Sequence, residues 1–218
     1  MHSSSLTAAQ ERLLASVGTY YTEKILQHGA TPLGVDWSCV PTQEMRFVQL
    51  LKVCDFSRNF SLNDVGCGYG ALLHYLMKRH RRRRIEYFGT DISAEMVAAA
   101  TGQWSGQRLA SFSVARNAQQ LADYSVASGT FNVKLQISEE NWELMICDAL
   151  ECMNAMSMKG FAVNFLSPPV RAEFRIPELY YASPDAWSDY CKEKFNADVE
   201  ILSGYGLREN TLLVRRRG

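Results

Sequence analysis

A glycine-rich turn between an apolar run and a helical pattern constrains this chain more than any other stretch. The run Phe60–Val65 is short and mostly apolar, which is typical of a buried strand, and residues 71–78 then repeat apolar side chains at helical spacing. Gly66 and Gly68 stand where the period changes. Glycine lets the backbone turn tightly and lets a ligand lie against main-chain atoms, and the following helix points free N–H groups at that place. The sequence therefore predicts a strand, a ligand-binding turn and a helix.

Two acids accompany this turn. Asp64 lies inside it, and Asp91 ends the next strand-like run, Ile85–Asp91. An acid at the end of that strand can accept hydrogen bonds from both hydroxyls of a ribose. The spacing Gly66-x-Gly68-x-x-Ala71 also satisfies the dinucleotide fingerprint, so a nicotinamide enzyme is an alternative at this point.

The segment Asp64-Val-Gly-Cys-Gly-Tyr-Gly70, followed by Gly89-Thr-Asp-Ile-Ser93, resembles motifs I and II of the class I S-adenosylmethionine-dependent methyltransferases. An acid before Gly-x-Gly-x-Gly is the pattern of that family more than of the nicotinamide enzymes. The resemblance extends from about Arg46 to the end of the chain and is specific for fold and cofactor, not for substrate. It implies S-adenosyl-L-methionine as the cofactor, in contact with Asp64, Gly66, Cys67, Gly68, Asp91 and Ile92.

The resemblance also implies a doubly wound α/β fold. Its seven-stranded mixed sheet has six parallel strands and a C-terminal antiparallel strand, and residues 199–215 read as the two arms of a terminal hairpin. A length of 218 residues fits one domain. We divide that domain into N-terminal lid helices (1–58), a cofactor-binding core (59–166), a proline- and aromatic-rich insert that caps the substrate (167–190), and a helix end with the hairpin (191–218).

Further cofactor contacts follow from the resemblance. Arg46, in a helix over residues 41–54, is the candidate for the methionine carboxylate, with a solvated surface arginine as the alternative. Asn117 follows the third strand where relatives often carry an aspartate, and its amide oxygen can accept the same hydrogen bond from adenine. Ser128, Gly129 and Phe131 come at the exit of the fourth strand, where buried parallel strands present residues to ligands.

Residues that touch the acceptor are harder to assign. We predict Tyr21, Trp37, Asn132 and Tyr181 for this role. The fourth strand exits in Ser128-Gly-Thr-Phe-Asn132, without the Asn/Asp/Ser-Pro-Pro-aromatic motif of enzymes that methylate base amino groups or glutamine. This favours a small-molecule acceptor with an O, N or C nucleophile.

The sequence does not identify a catalytic base, and none is mandatory because the methyl donor is already activated and positioning supplies much of the rate. The candidates for a base are Tyr20, Tyr21, His28, Asn132, Glu173, Tyr180 and Tyr181.

Charge gives no support to a nucleic-acid substrate, since acids and bases number 23 each. The run Arg79–Arg84 nevertheless keeps open a methyltransferase that acts on RNA or protein. It lies between a helix and the second strand, at the sheet end opposite the ligand crevice, which favours a solvated loop. A non-catalytic partner that keeps the fold and serves as a scaffold is a further alternative.

The six cysteines form no C-x-x-C pair and no zinc-like cluster, so we predict reduced thiols and no metal site. Met1–Leu6 lacks the pattern of a signal peptide, and no apolar run approaches the length of a membrane span. These features predict a cytoplasmic enzyme with no membrane association. The oligomeric state is not readable from the sequence.

Overall fold

The computed structural model describes residues 7–217, so the prediction made for Met1–Leu6 lies outside the described residues. Apart from short 3₁₀ turns, the helices are α1 (Ala8–His28), α2 (Val40–Leu50), α3 (Ala71–Arg79), α4 (Ala94–Gln103), α5 (Glu139–Ala155) and α6 (Pro184–Phe195). The strands are β1 (Phe60–Val65), β2 (Ile85–Asp91), β3 (Ala110–Val114), β4 (Ala122–Ala127), β5 (Ser157–Leu166), β6 (Ala197–Leu202) and β7 (Glu209–Arg216).

The strands form one sheet in the order β3-β2-β1-β4-β5-β7-β6. Strands β1 to β5 pair in parallel, whereas β7 is antiparallel to both of its neighbours. The prediction of six strands in one direction and one C-terminal strand against them is therefore confirmed. The central strands are buried almost throughout because helices cover both faces of the sheet.

The N-terminal helix has a defined cap at each end. The Thr7 hydroxyl and the Gln10 side chain form a reciprocal capping box, and Gly29 ends the helix at a positive φ of 66°. The hydroxyl of Thr22 donates to Glu95 at 2.9 Å, which ties α1 to α4. Helix α1 consequently lies over the sheet edge where the parallel strands end.

The end of the helix predicted over residues 41–54 differs from the sequence prediction. Helix α2 ends at Leu50 and continues as a 3₁₀ turn, Leu51–Val53. Helix α5 ends at Ala155, and β5 begins only two residues later, at Ser157. The Ser157 hydroxyl bonds the Ser125 hydroxyl at 2.7 Å and so joins the sheet early.

The segment after β5 is shorter than predicted, because residues 184–190 of the 167–190 insert lie in α6. Pro184 stands in the first turn of that helix, and Trp187 is buried with its ring stacked on Phe165 at 5.7 Å. Residues 167–183 remain as the irregular segment, and their role as a substrate cap stays a prediction. Within residues 7–217, no helix is long and apolar enough to cross a membrane.

Candidate active site

A cavity of about 420 Å³ lies at the carboxyl ends of β1, β2 and β4. This volume is within the range of about 300–1,000 Å³ that is typical of small-molecule sites. All of the residues predicted to contact the cofactor line it: Arg46, Asp64, Gly66, Cys67, Gly68, Asp91, Ile92, Asn117, Ser128, Gly129 and Phe131.

The glycine turn is fixed to the end of β2 by main-chain hydrogen bonds. The amides of Gly66 and Cys67 donate to the carbonyl of Thr90 at 2.8 and 2.9 Å. Gly66 has φ +73°, and a Cβ at this position would come within 2.6 Å of the Thr130 hydroxyl oxygen. Only glycine fits here, because the loop after β4 packs directly against the turn.

Asp91 joins the glycine turn to the start of α4. Its Oδ2 accepts from the Gly68 amide and its Oδ1 from the Ser93 amide, both at 2.9 Å. Burial raises the pKa of this carboxyl, and the hydrogen bonds from Ser93, Gly68 and Ile92 lower it in part. A carboxylate has about four acceptor sites, so Asp91 keeps capacity to accept from a ligand hydroxyl beside these amides.

Asp64 lies below the turn in an apolar setting. Its Oδ2 accepts from the Tyr87 hydroxyl, while its Oδ1 has no partner. Burial raises the pKa of Asp64, the hydrogen bond from Tyr87 lowers it and the nearby Asp91 raises it, so that the pKa lies at about 7. Asp64 therefore holds its proton more tightly than an exposed aspartate.

The raised pKa of Asp64 predicts a pH-dependent stability. The folded protein holds this proton more tightly than the unfolded chain, so the free energy of unfolding should fall as pH rises from about 4 to about 7. In Asp64→Asn this fall in the free energy of unfolding should vanish. Above pH 7 the free energy of unfolding of the variant should therefore exceed that of wild type by roughly a few kcal/mol. Urea unfolding of both proteins at about pH 5 and pH 8 measures the difference.

Asp123→Asn is the matched control, because a lowered pKa places the titration of Asp123 below that pH window. The free energy of unfolding of Asp123→Asn should change between pH 5 and pH 8 as much as that of wild type does. If Asp64→Asn also showed the wild-type change, the protonation assigned to Asp64 would be wrong.

Arg46 is buried, with 5% of its surface exposed, so the alternative of a solvated arginine is wrong. Its Nε donates to Glu209 Oε2 at 3.0 Å, and its Nη2 donates to the other carboxylate oxygen. The guanidinium lies 3.7 Å from the centre of the Trp37 ring. Because Glu209 already balances its charge, Arg46 would meet a ligand through its Nη1 edge, which faces Gly129.

Asn117 is held in one orientation by an acid from α5. Its Nδ2 donates to Asp148 Oδ2 at 3.0 Å, and Arg116 pairs with the same carboxylate at 3.0 Å. With the amide nitrogen engaged, the amide oxygen is the group of Asn117 that is left to accept a hydrogen bond. This orientation is the one that adenine recognition through the amide oxygen requires.

Three of the four residues predicted to touch the acceptor also line the cavity, namely Tyr21, Trp37 and Asn132. Asn132 is 8% exposed, and its Oδ1 has no hydrogen-bond partner. The Nε1 of Trp37 is likewise buried without an acceptor. Apolar side chains surround these groups: Leu14, Val17, Val35, Val133, Leu166 and Leu179.

The remaining candidates for a base do not line the cavity. The Tyr20 hydroxyl donates to Asp36, and His28 lies in the last turn of α1. Glu173 is exposed on the irregular segment and pairs with Arg171 at 3.5 Å.

The two tyrosines at the end of that segment are also turned away from the cavity. The Tyr180 hydroxyl donates to Glu143 at 2.9 Å and accepts from Trp187 at 3.0 Å. The Tyr181 hydroxyl accepts from the Ile176 amide at 3.2 Å, and Tyr181 does not line the cavity, so this geometry gives no support to its predicted contact with the acceptor, which stays a prediction. Tyr21 lines the cavity, but burial and the nearby Asp36 raise the pKa of its phenol, so it stays protonated at neutral pH and cannot take up a proton.

Sequence reasoning missed several residues of the site. Thr130 packs on the glycine turn, Asp148 orients Asn117, and Glu209 pairs with Arg46. Of these three, only Thr130 could have been found from the local sequence, because it lies within the predicted exit of β4. The other two reach the site across more than 30 residues of chain.

The basic run lies away from the cavity. Arg81–Arg84 are exposed in the connection from α3 to β2, at the amino end of β2. Lys78 and Arg79, at the end of α3, pair with Glu44 at 3.5 and 3.6 Å. None of the residues of this run lines the cavity.

The sheet order, the glycine turn and the acid at the end of β2 together define an S-adenosylmethionine-binding methyltransferase domain. A family model described as a methyltransferase domain matches residues 63–140. Rv1506c of Mycobacterium tuberculosis, which is named as a methyltransferase, is 42% identical over 166 residues, covering 76% of this chain and 99% of that protein. The chain belongs to the class I S-adenosylmethionine-dependent methyltransferases, and S-adenosylmethionine is its cofactor.

Solved structures share the fold at low sequence identity. Magnesium protoporphyrin IX methyltransferase from Synechocystis PCC 6803, with bound S-adenosylmethionine, has a TM-score of 0.55 and 15% identity, over 81% of this chain and 79% of that chain. Human N-acetylserotonin methyltransferase, also with S-adenosylmethionine, has a TM-score of 0.54 and 17% identity, over 81% and 54%. Both likenesses concern the fold alone.

Proposed function

We propose that this enzyme transfers the methyl group of S-adenosylmethionine to an O, N or C nucleophile of an uncharged, largely apolar small molecule. The observation that carries the proposal is that the glycine turn, Asp91 and the buried, unpartnered oxygen of Asn132 all face one cavity. The cofactor lies with its ribose on Asp91 and its adenine on the Asn117 amide oxygen. Its methionine end lies between the glycine turn and Gly129.

The acceptor is small because elements of the fold limit the space in the cavity. Helix α1 and Trp37 lie on one side of it, and Val133 and Leu179, which pair as an isolated β-bridge, lie on another. The two solved neighbours described above are named for small-molecule acceptors, which agrees with this size.

The acceptor is uncharged because the charged groups that line the cavity, among residues 7–217, are either ion-paired or, like Asp64 and Asp91, belong to the part assigned to the cofactor. Arg46 pairs with Glu209, and Arg116 pairs with Asp148. Asp36 pairs with Lys24 at 2.6 Å. A charged acceptor would lose its hydration here without gaining an opposite charge, which is costly.

Catalysis rests mainly on positioning. The sulfonium is an activated donor, and holding two reactants in line can contribute about 7–11 kcal/mol. Asn132 Oδ1 accepts a hydrogen bond from the acceptor and orients its nucleophile. Surrounding apolar side chains exclude water from the reacting atoms.

Transfer of an isotope-labelled methyl group tests this function. The enzyme is given labelled S-adenosylmethionine with three sets of acceptors: neutral apolar compounds with an O–H, N–H or acidic C–H, carboxylates and phosphates of similar size, and RNA or protein. We expect label only in the first set. Label in RNA or protein would support the alternative that uses Arg79–Arg84, and cofactor binding without any transfer would support a scaffold.

Asn132→Leu should lower kcat/KM for the acceptor by about 10- to 100-fold, because the acceptor loses its buried hydrogen-bond partner. The affinity for S-adenosylhomocysteine should stay within about twofold of wild type, since Asn132 is assigned to the acceptor. Steady-state kinetics and calorimetric titration measure the two effects.

Asn210→Leu is the control, since Asn210 is similarly buried, donates to the Ser167 hydroxyl and does not line the cavity. Its kcat/KM should be close to that of wild type. If Asn132→Leu kept wild-type kcat/KM, the acceptor contact would be wrong.

A further inference from the structure

Glu209 is a buried acid with partners on two different elements. It begins β7, which starts at the carboxyl ends of the parallel strands because it runs against them. Only 2% of its surface is exposed. It pairs with Arg46 of α2, and its Oε2 also accepts from Asn164 Nδ2 of β5 at 2.9 Å. A charge buried this deeply persists only with partners of this kind.

Asn164 extends the network to the loop after β4. Its Oδ1 accepts from the Gly129 amide at 2.8 Å, while its amide nitrogen serves Glu209. Gly129 has φ +72°, and a Cβ there would collide with Nη1 of Arg46. The network therefore connects two residues of the cavity wall. Arg46 bonds Glu209, Glu209 bonds Asn164, and Asn164 bonds the amide of Gly129, which lies beside Nη1 of Arg46. We call this closed set of contacts the ring.

We propose that Glu209 is a positioning residue for the cofactor. It fixes the guanidinium of Arg46 directly and the N–H of Gly129 through Asn164, so the two sides of the cavity wall keep a set spacing around the methionine end of the ligand. Glu209 and Asn164 do not line the cavity and act only through these partners. The inference rests on the cofactor placement proposed above.

The chemistry of the ring determines the direction of every hydrogen bond. A carboxylate only accepts, so Glu209 obliges Asn164 to turn its amide nitrogen towards it. That orientation leaves the amide oxygen of Asn164 for Gly129. If the amide were reversed, its N–H groups would face the N–H of Gly129, and the loop would be pushed away from Arg46.

Exchanging the amide of Asn164 and the carboxylate of Glu209 tests whether these hydrogen-bond directions hold the cavity wall in place. In Glu209→Gln the new amide opposes the donors of Arg46 and Asn164, and in Asn164→Asp two carboxylates face each other. In the double variant E209Q/N164D, the amide oxygen at position 209 accepts from Arg46 Nη2, and the amide nitrogen donates to the carboxylate at position 164, which still accepts from Gly129. The alternation of donors and acceptors is restored except at Arg46 Nε, whose acceptor, Oε2 of Glu209, is replaced by that amide nitrogen.

The readout is the dissociation constant of S-adenosylhomocysteine by calorimetry, with the unfolding temperature measured on the same preparations. Each single variant should weaken binding by about tenfold or more, and the double variant should bind at least about threefold more tightly than either single variant. Asn63→Asp is the control for a purely structural effect. Asn63 is a buried asparagine of β1 that bonds Ser125 and does not line the cavity, so its variant should lose stability and keep its affinity.

The proposal is overturned if the single variants behave like Asn63→Asp, losing stability but binding within twofold of wild type. It is also overturned if the double variant binds no better than the singles, or does not fold. Should the single variants fail to fold, a folded double variant that binds S-adenosylhomocysteine supports the ring. Failure of the wild-type protein itself to bind S-adenosylhomocysteine would instead refute the cofactor placement.

Discussion

Replacement of Asp91 by alanine should weaken S-adenosylhomocysteine binding by about 2–3 kcal/mol, which is roughly 30- to 150-fold. The loss has two sources. The ribose hydroxyls lose the carboxylate that accepts from them, and the Gly68 amide loses its 2.9 Å hydrogen bond, which loosens the glycine turn. Calorimetric titration of both proteins measures the change.

Asp91→Asn separates these two sources. Its amide oxygen can still accept from one of the two amides that Asp91 holds, Gly68 or Ser93, but it has fewer acceptor sites than a carboxylate. We expect an affinity between those of wild type and Asp91→Ala. A dissociation constant for Asp91→Ala equal to that of wild type would remove Asp91 from the site.

Substitution of Gly66 by alanine should reduce S-adenosylhomocysteine binding by at least about 100-fold and lower the unfolding temperature. A side chain at φ +73° costs about 1–2 kcal/mol. The new methyl group would also lie 2.6 Å from the hydroxyl oxygen and 2.8 Å from the methyl of Thr130, and overpacking of this kind costs about 1–3 kcal/mol. The turn and the loop after β4 would separate, and both belong to the cavity wall.

Gly102→Ala is the matched control, because it adds the same methyl group inside α4 where nothing lies within 4 Å. This variant should bind like wild type and gain about 0.5–1 kcal/mol of stability from the better helix propensity. Wild-type affinity in Gly66→Ala would show that the ligand does not use this turn.

The local parts of the site were predictable from sequence because their signals are contiguous. The bounds predicted for β1 and β2 match the structure, and the change from strand to helical period marks the glycine turn. The acid at the end of β2 follows from the same pattern. Parallel strands bring such loops to one edge of a sheet, so residues 64–68, 91 and 128–131 could be expected to meet.

The distant parts were not predictable because nothing in the sequence specifies which polar side chains pair. Arg46 and Glu209 are 163 residues apart and meet only because β7 runs antiparallel beside β5. An arginine is buried only where an acid such as Glu209 pairs with it. The sequence does not show this pair, so it allowed Arg46 to be a surface residue as well as a buried one. The same reasoning explains the missed role of Asp148.

The tyrosines after β5 illustrate a different limit of sequence-based prediction. Tyr180 and Tyr181 belong to an aromatic-rich segment next to the site, which made them candidates for a base or an acceptor contact. Neighbouring residues in an extended chain point to opposite sides, and here both hydroxyls find partners outside the cavity. The aromatic side chains in and after this segment mainly pack against the fold, as the stacking of Trp187 on Phe165 shows.

A crystal structure with S-adenosylhomocysteine bound is the most direct test of the central claim. We expect both ribose hydroxyls within hydrogen-bond distance of Asp91 and the adenine amino group on the amide oxygen of Asn117. The sulfur should face Asn132 across the apolar part of the cavity. Ligand density that leaves Asp91 without a ribose contact, or lies outside the cavity, would contradict this account.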